Sequence, residues 1–228
     1  MATMTAAQAD ELWAGADDQR ARTVELLESL TPEQWDTPSL CEGWTVRHVA
    51  AHLTGQQQGW GDVVRFVAAH PRILRSVTLN AAIHDSAVLL AGVLSTDEII
   101  GRIRASIGSR RHNAFVTPRE TLTDILVHSQ DIAVPLGADL AIRPGPGALS
   151  ATRCWDTRGS WLSSVFRRLP LDGYRLRATD VDWTRGEGLE VAGPVGAVLL
   201  LLSGRPVALD RLTGPGADAL RAALTARG

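Results

Sequence analysis

Lysine is absent: all 23 basic residues are arginine, set against 25 acidic ones for a formal net charge of −2. With the two signs interspersed there is no broad basic field of the kind that nucleic acid or an anionic membrane surface requires, so neither is an expected partner. The lysine-free bias reads as a base-composition effect in the coding sequence and not as function. Cysteine is nearly absent too. Cys41 and Cys154 alone provide no disulfide framework and fit a reducing, cytoplasmic setting. The first twenty residues lack a basic start followed by an apolar run and instead carry Asp10, Glu11, Asp17 and Asp18, so no secretory leader is expected. The longest apolar run, residues 195–202, falls far short of the roughly 20 residues that a membrane-spanning helix needs.

What is present is an apolar fraction of 45% in 228 residues, enough to bury a substantial core in one large domain or in a domain with a smaller partner. Residues 5–29 have a helical period, with Thr5 as cap and Leu12, Ala16, Val24 and Leu27 on one stripe. Thr31-Pro32-Glu33 is a helix-start signal. Gly43 breaks the chain before a second helix, with Thr45 as cap and Val46, Val49, Ala50 and Leu53 as apolar positions. Residues 59–92 stay helical apart from a break at Pro71, and Ser95-Thr96-Asp97-Glu98 opens a helix to about Ile107. Pro118 opens the next helix, which Pro135-Leu136-Gly137 closes. Residues 143–147 read as a turn, followed by a helix to about Phe166. Near Pro170 the texture changes. Residues 174–180 alternate as a strand does, residues 185–188 turn, and residues 189–191 suggest a second strand. An apolar helix at 195–202, the short segment Val207-Ala-Leu209 and a helix from Ala217 to about Ala226 complete the chain. The expected fold is mainly α, with a helical bundle over residues 1–168 and a small α/β domain over residues 169–228.

The chemistry-bearing stretch is residues 121–137, TLTDILVHSQDIAVPLG. Asp124, His128 and Asp131 are spaced by four and then three residues, which on a helix puts them within about 60° of arc. Residues 44–53, WTVRHVAAHL, carry His48 and His52 four apart on another helix. Asp124 and His128 have the i, i+4 spacing that lets two ligands converge on one divalent ion. His52 would complete a three-ligand set with open positions, the arrangement of catalytic rather than structural metal sites. Asp131 is placed to orient the His128 imidazole. By spacing alone a surface or capped Asp/His pair explains the same pattern. His48, in the first turn of its helix, is the poorer ligand, and His70, His84 and His112 have no partner spacing. Cys41 reads as a small buried residue, and Trp44 and Trp60 as core or as the wall of a pocket.

Residues 39–53, SLCEGWTVRHVAAHL, together with residues 121–137, resemble the actinobacterial mycothiol-dependent maleylpyruvate isomerase family, within the wider DinB-like group. Residues 174–183, YRLRATDVDW, and 191–214, VAGPVGAVLLLLSGRPVALDRLTG, resemble its smaller domain. The resemblance implies a four-helix bundle holding a divalent metal, commonly zinc, with nickel or manganese as alternatives. The implied ligands are His52, Asp124 and His128. The family has glutamate at the acidic position, so Asp124 is one methylene shorter. It further implies mycothiol as a thiol co-substrate, and Arg205 as the partner of a substrate carboxylate; Trp44, flanking the His52 helix, is the residue expected to line the co-substrate pocket. The substrate would be a small electrophile, undergoing cis/trans isomerisation or S-transfer, and the protein a monomer or homodimer. The reading of a different class is a non-catalytic module whose bundle cavity holds a small ligand or partner and whose polar stripe is structural.

Overall fold

The first helix, α1 (Ala6–Glu28), is closed at its N-terminus by a capping box in which Thr5 accepts from the Gln8 N–H and Gln8 accepts from the Thr5 N–H. The structure is a computed structural model and describes residues 5–76, 78–114, 116–160 and 169–225. Its contacts divide into two compact units, Met1–Leu140 and Ala141–Gly228.

In the first unit α1 buries Leu12, Ala16, Val24 and Leu27 as the period requires, but the same face also buries Gln19, Arg20 and Thr23. A 3₁₀ turn (Pro32–Asp36) leads to α2 (Val46–Leu53), entered through Gly43 at φ 78°, a left-handed conformation that glycine adopts without steric cost. The His48 ring is spent at this entry, its Nδ1 accepting from the Thr45 N–H at 3.1 Å. Arg47 reaches the other way, donating to the Ala91 and Leu94 carbonyls at the C-terminal end of α4 (Leu79–Val93) and so pairing groups that a helix end leaves open. Between them lie α3 (Trp60–Ala69) and a second 3₁₀ turn (Pro71–Arg75), the break expected at Pro71.

Helix α5 (Thr96–Ala105) begins in a Ser95/Glu98 capping box, and α6 (Pro118–Ala133) in a Thr117/Glu120 one with proline at the first position. Helix α6 packs on α1 and α2, α2 also meets α4 and α5, and α1 meets α5. The placement of α6 shows in its burial. Between Thr121 and Ala133 every residue is buried except Asp124 and His128, which are half-buried. Gln130 Nε2 donates to the Leu140 carbonyl beyond the end of the helix.

The second unit begins with α7 (Pro144–Asp156). Residues 143–147, expected as a turn, instead form its first turn, because proline at N1 starts a helix as readily as it ends one. The helix gives way to turns after Asp156, and residues 161–168, over which it was expected to continue, lie outside the described residues. Strands β1 (Tyr174–Ala178), β2 (Thr184–Arg185) and β3 (Leu189–Gly193) form a sheet of order β2-β1-β3. Strand β1 pairs antiparallel with β2 and parallel with β3, with Leu176 opposite Val191. Helix α8 (Val195–Leu202) is buried along its whole length, which explains its unbroken apolar sequence, and it packs on α7. Gly147 permits that approach, since a Cβ there would lie 2.6 Å from Val195 Cγ1. Val207-Ala-Leu209 lies in a 3₁₀ helix (Pro206–Arg211), followed by α9 (Pro215–Thr225), and Ala226, where the last helix was expected to end, is outside the described residues.

The sequence texture divides the chain near residue 168, whereas spatial contacts divide it at 140/141, because α7 packs against α8. Among the described residues no single helix is long and apolar enough to cross a membrane.

Candidate metal centre

The two half-buried positions of α6 face the last turn of α2. Asp124 Oδ1 lies 3.3 Å from His52 Nε2 and 3.4 Å from His128 Nε2, and the donor atoms of all three residues fall within 4.8 Å of one another. Donors about 2.0–2.1 Å from a tetrahedral zinc ion stand about 3.3–3.4 Å apart, so the carboxylate-to-imidazole separations are already those of two edges of such a site. Two neutral imidazoles and one carboxylate are also the donor chemistry that a divalent transition metal favours. The residues fit the ion. The His52 and His128 rings meet edge to face with centroids 4.8 Å apart.

A second layer holds these donors. Asp131, with no exposed side-chain surface, accepts at Oδ2 from His128 Nδ1 at 2.8 Å and from the Cys41 thiol at 3.1 Å. This fixes the His128 tautomer so that Nε2 faces Asp124. Asp124 Oδ2 accepts from Gln56 Nε2 at 2.7 Å. Gln56 Oε1 in turn accepts from Arg20 Nε and Nη2 at 3.4 and 3.3 Å. Arg20 is fully buried and spends Nη1 on Asp17 and on the Ser106 carbonyl.

The charges follow from this packing. Burial opposes ionisation of His128, but the Asp124 carboxylate, with hydrogen bonds to Asp131 and Cys41, outweighs it and holds the imidazolium well above the usual histidine range. Burial likewise pushes the Asp124 carboxyl up, and the His128 and His52 imidazoles overcome it and hold the acid well below its usual range. Without metal this packing favours an Asp124 carboxylate paired with a His128 imidazolium.

Trp44 forms a wall, its ring centroid 5.4 Å from that of His52 and 6.2 Å from that of His128. Its buried indole N–H has no acceptor among the described residues. His84 also approaches Trp44, at 6.1 Å between centroids. Trp60, by contrast, is 62% exposed. Arg205 lies in the second unit at the start of the Pro206–Arg211 turn, where Nη1 donates to the Ser203 carbonyl at 2.6 Å.

Residues 16–133, just over half of the chain, match the family model described as the mycothiol maleylpyruvate isomerase N-terminal domain. The chain belongs to this family. Two solved structures share the fold of this family member. A histidine-to-alanine mutant of the mycothiol-dependent maleylpyruvate isomerase aligns at a TM-score of 0.59 and 15% identity, over 95% of this chain and 97% of that one. The unmutated isomerase aligns at 0.58 and 16%, with the same coverage. A comparison with curated proteins returns no match.

Sequence reasoning alone did not connect Cys41, Gln56 and Arg20 to the cluster. Each left a trace: Cys41 sits inside the SLCEGW motif, Gln56 follows His52 by four residues, and Arg20 falls on the apolar stripe of α1 between Ala16 and Val24.

Proposed function

We propose that this member of the maleylpyruvate isomerase family is a metal-dependent, mycothiol-using enzyme acting on a small electrophile, with His52, Asp124 and His128 as the metal ligands. The reading is carried by one observation: two imidazole Nε2 atoms from different helices converge on one carboxylate oxygen at ligand-like separations. A bound divalent metal, zinc in this proposal, supplies Lewis acidity that removes the proton of a coordinated thiol at neutral pH.

The chain's own part is placement. His52, Asp124 and His128 leave positions open for a co-substrate. Asp131 keeps the Nδ1 proton of His128 in place, and Trp44 gives the thiol an apolar wall. The thiol of mycothiol adds to an activated double bond of the electrophile. Its expulsion after rotation about the resulting single bond gives cis/trans isomerisation, and its retention gives S-transfer. Arg205 is proposed to pair with a carboxylate of the substrate, a role that rests on family resemblance and on the bidentate geometry of guanidinium.

The test is elemental analysis of protein purified without added metal, followed by a screen of electrophiles with mycothiol, reading thiol loss and product mass. About one metal per chain is expected, lost in His52→Ala and in His128→Ala. Metal content well below that, unrestored by zinc, nickel or manganese, would favour the non-catalytic binding module. Arg205→Ala should raise KM for a carboxylate-bearing electrophile while leaving metal content unchanged.

A further inference from the structure

Asp124 is a short arm on a helix, and one of its two oxygens is already taken. Gln56 Nε2 donates to Oδ2 at 2.7 Å, leaving Oδ1 as the atom directed at both histidines. The orientation of the Gln56 amide follows from chemistry alone, because arginine has only donors and an ionised carboxylate only acceptors. The carbonyl end must face Arg20 and the NH₂ end must face Asp124. Both relay residues are more than nine-tenths buried, Arg20 at 0% and Gln56 at 7% exposure, so water has little access to the bonds between them.

The three residues come from three different places: Arg20 from α1, Gln56 from the turn after α2, and Asp124 from α6. Arg20 is itself pinned by Asp17 and by the Ser106 carbonyl beyond α5. We propose that Gln56, held by buried Arg20, is a positioning residue that fixes Asp124 as a one-oxygen metal ligand. A carboxylate that swings Oδ2 toward the histidines, or turns Oδ1 away from them, strains or gives up the Gln56 bond. The relay thus does for the carboxylate what Asp131 does for His128.

The inference rests on the metal-site reading above, and the experiment separates the two. Full-length protein is stripped with chelator, its thermal unfolding is recorded, and zinc affinity is measured by competition with a chromophoric chelator. Wild type that binds no zinc overturns the metal-site reading, and this inference with it. Given wild-type binding, Gln56→Met should raise the zinc Kd about 10- to 100-fold, the usual consequence of losing a residue that orients a ligand. The control is Ser129→Ala on α6, next to His128, which removes the buried hydrogen bond that Ser129 accepts from Gln19 of α1, without touching Asp124. Its zinc Kd should stay within about threefold of wild type even where its melting temperature falls, since it leaves the residues that orient the ligands in place.

A Gln56→Met Kd within about threefold of wild type overturns the relay, because loss of an orienting residue has a larger effect. So does a Ser129→Ala variant that loses as much affinity as Gln56→Met, since general loosening would then explain both. If Gln56→Met fails to fold because Arg20 is left without its acceptor, Arg20→Met with Gln56→Met removes donor and acceptor together. The same Kd criterion then applies to that double variant.

Discussion

Replacing Asp131 tests whether His128, a proposed ligand, is held as the structure describes. Its Oδ2 accepts from His128 Nδ1 at 2.8 Å and from Cys41 Sγ at 3.1 Å, with none of the side chain exposed. In Asp131→Ala both donors lose their acceptor, and His128, only 15% exposed, gains little water in exchange. A hydrogen bond between charged partners contributes about 1.5–3 kcal/mol, and a thiol donor contributes less, so the metal-free protein should lose about 2–4 kcal/mol of unfolding free energy. The zinc Kd should rise about 10- to 100-fold, equivalent to about 1.4–2.8 kcal/mol. Asp131→Asn keeps an oxygen for Nδ1 but not the charge, and should fall between the two. Urea unfolding in chelator gives the first quantity and chelator competition the second. Wild-type values of both for Asp131→Ala would mean that this carboxylate does not hold His128, and would refute the two-layer description of the centre.

Three further outcomes follow from the same geometry. Asp124→Ala should lose the metal while Asp124→Glu retains it, since the family's acid is the longer one; full metal and activity in Asp124→Ala would show that the i, i+4 pair is not the ligand set. In the metal-free protein the raised His128 pKa contributes stability that is fully present below the unfolded histidine value of about 6.5 and is lost as pH rises through the folded value. The lowered Asp124 pKa contributes stability present above the unfolded value of about 3.9 and lost as pH falls through the folded value. Melting temperature in chelator should therefore decline on the alkaline side, and the decline should shrink in Asp124→Ala; a wild-type profile that climbs steadily from pH 6 to pH 9 would contradict the ion pair. In the second unit, Gly147→Ala should destabilise by about 1–3 kcal/mol in a denaturant melt, because the new Cβ would sit 2.6 Å from Val195 Cγ1.

The sequence was most informative where chemistry and helical period coincide. The spacing of Asp124, His128 and Asp131 put all three on one stripe, and the caps at Thr5, Thr45 and Ser95 marked the helix starts. The meeting of His52 with Asp124 is tertiary. No local period joins residues 72 positions apart; ligand chemistry suggested that the two helices pool their donors, and family resemblance singled out the set. Arg20 and Gln56 were harder still, because their partners are polar groups on other elements and burial of a charge leaves no periodic mark. Strand β2 is two residues long, too short for alternation to register. The 140/141 division depends on α7 packing on α8, whereas the sequence shows only where helical texture ends.

Helix α3 has no buried residue. It lies in the long interval between His52 and Asp124, and the proposed ligands ride instead on α2 and α6, which pack directly on each other. Mutational drift in residues 60–69 therefore leaves the donor atoms where they are. The proposed chemistry and the exposed helix thus occupy different stretches of one unit, and substitutions in α3 need not disturb the packing that brings the donors together.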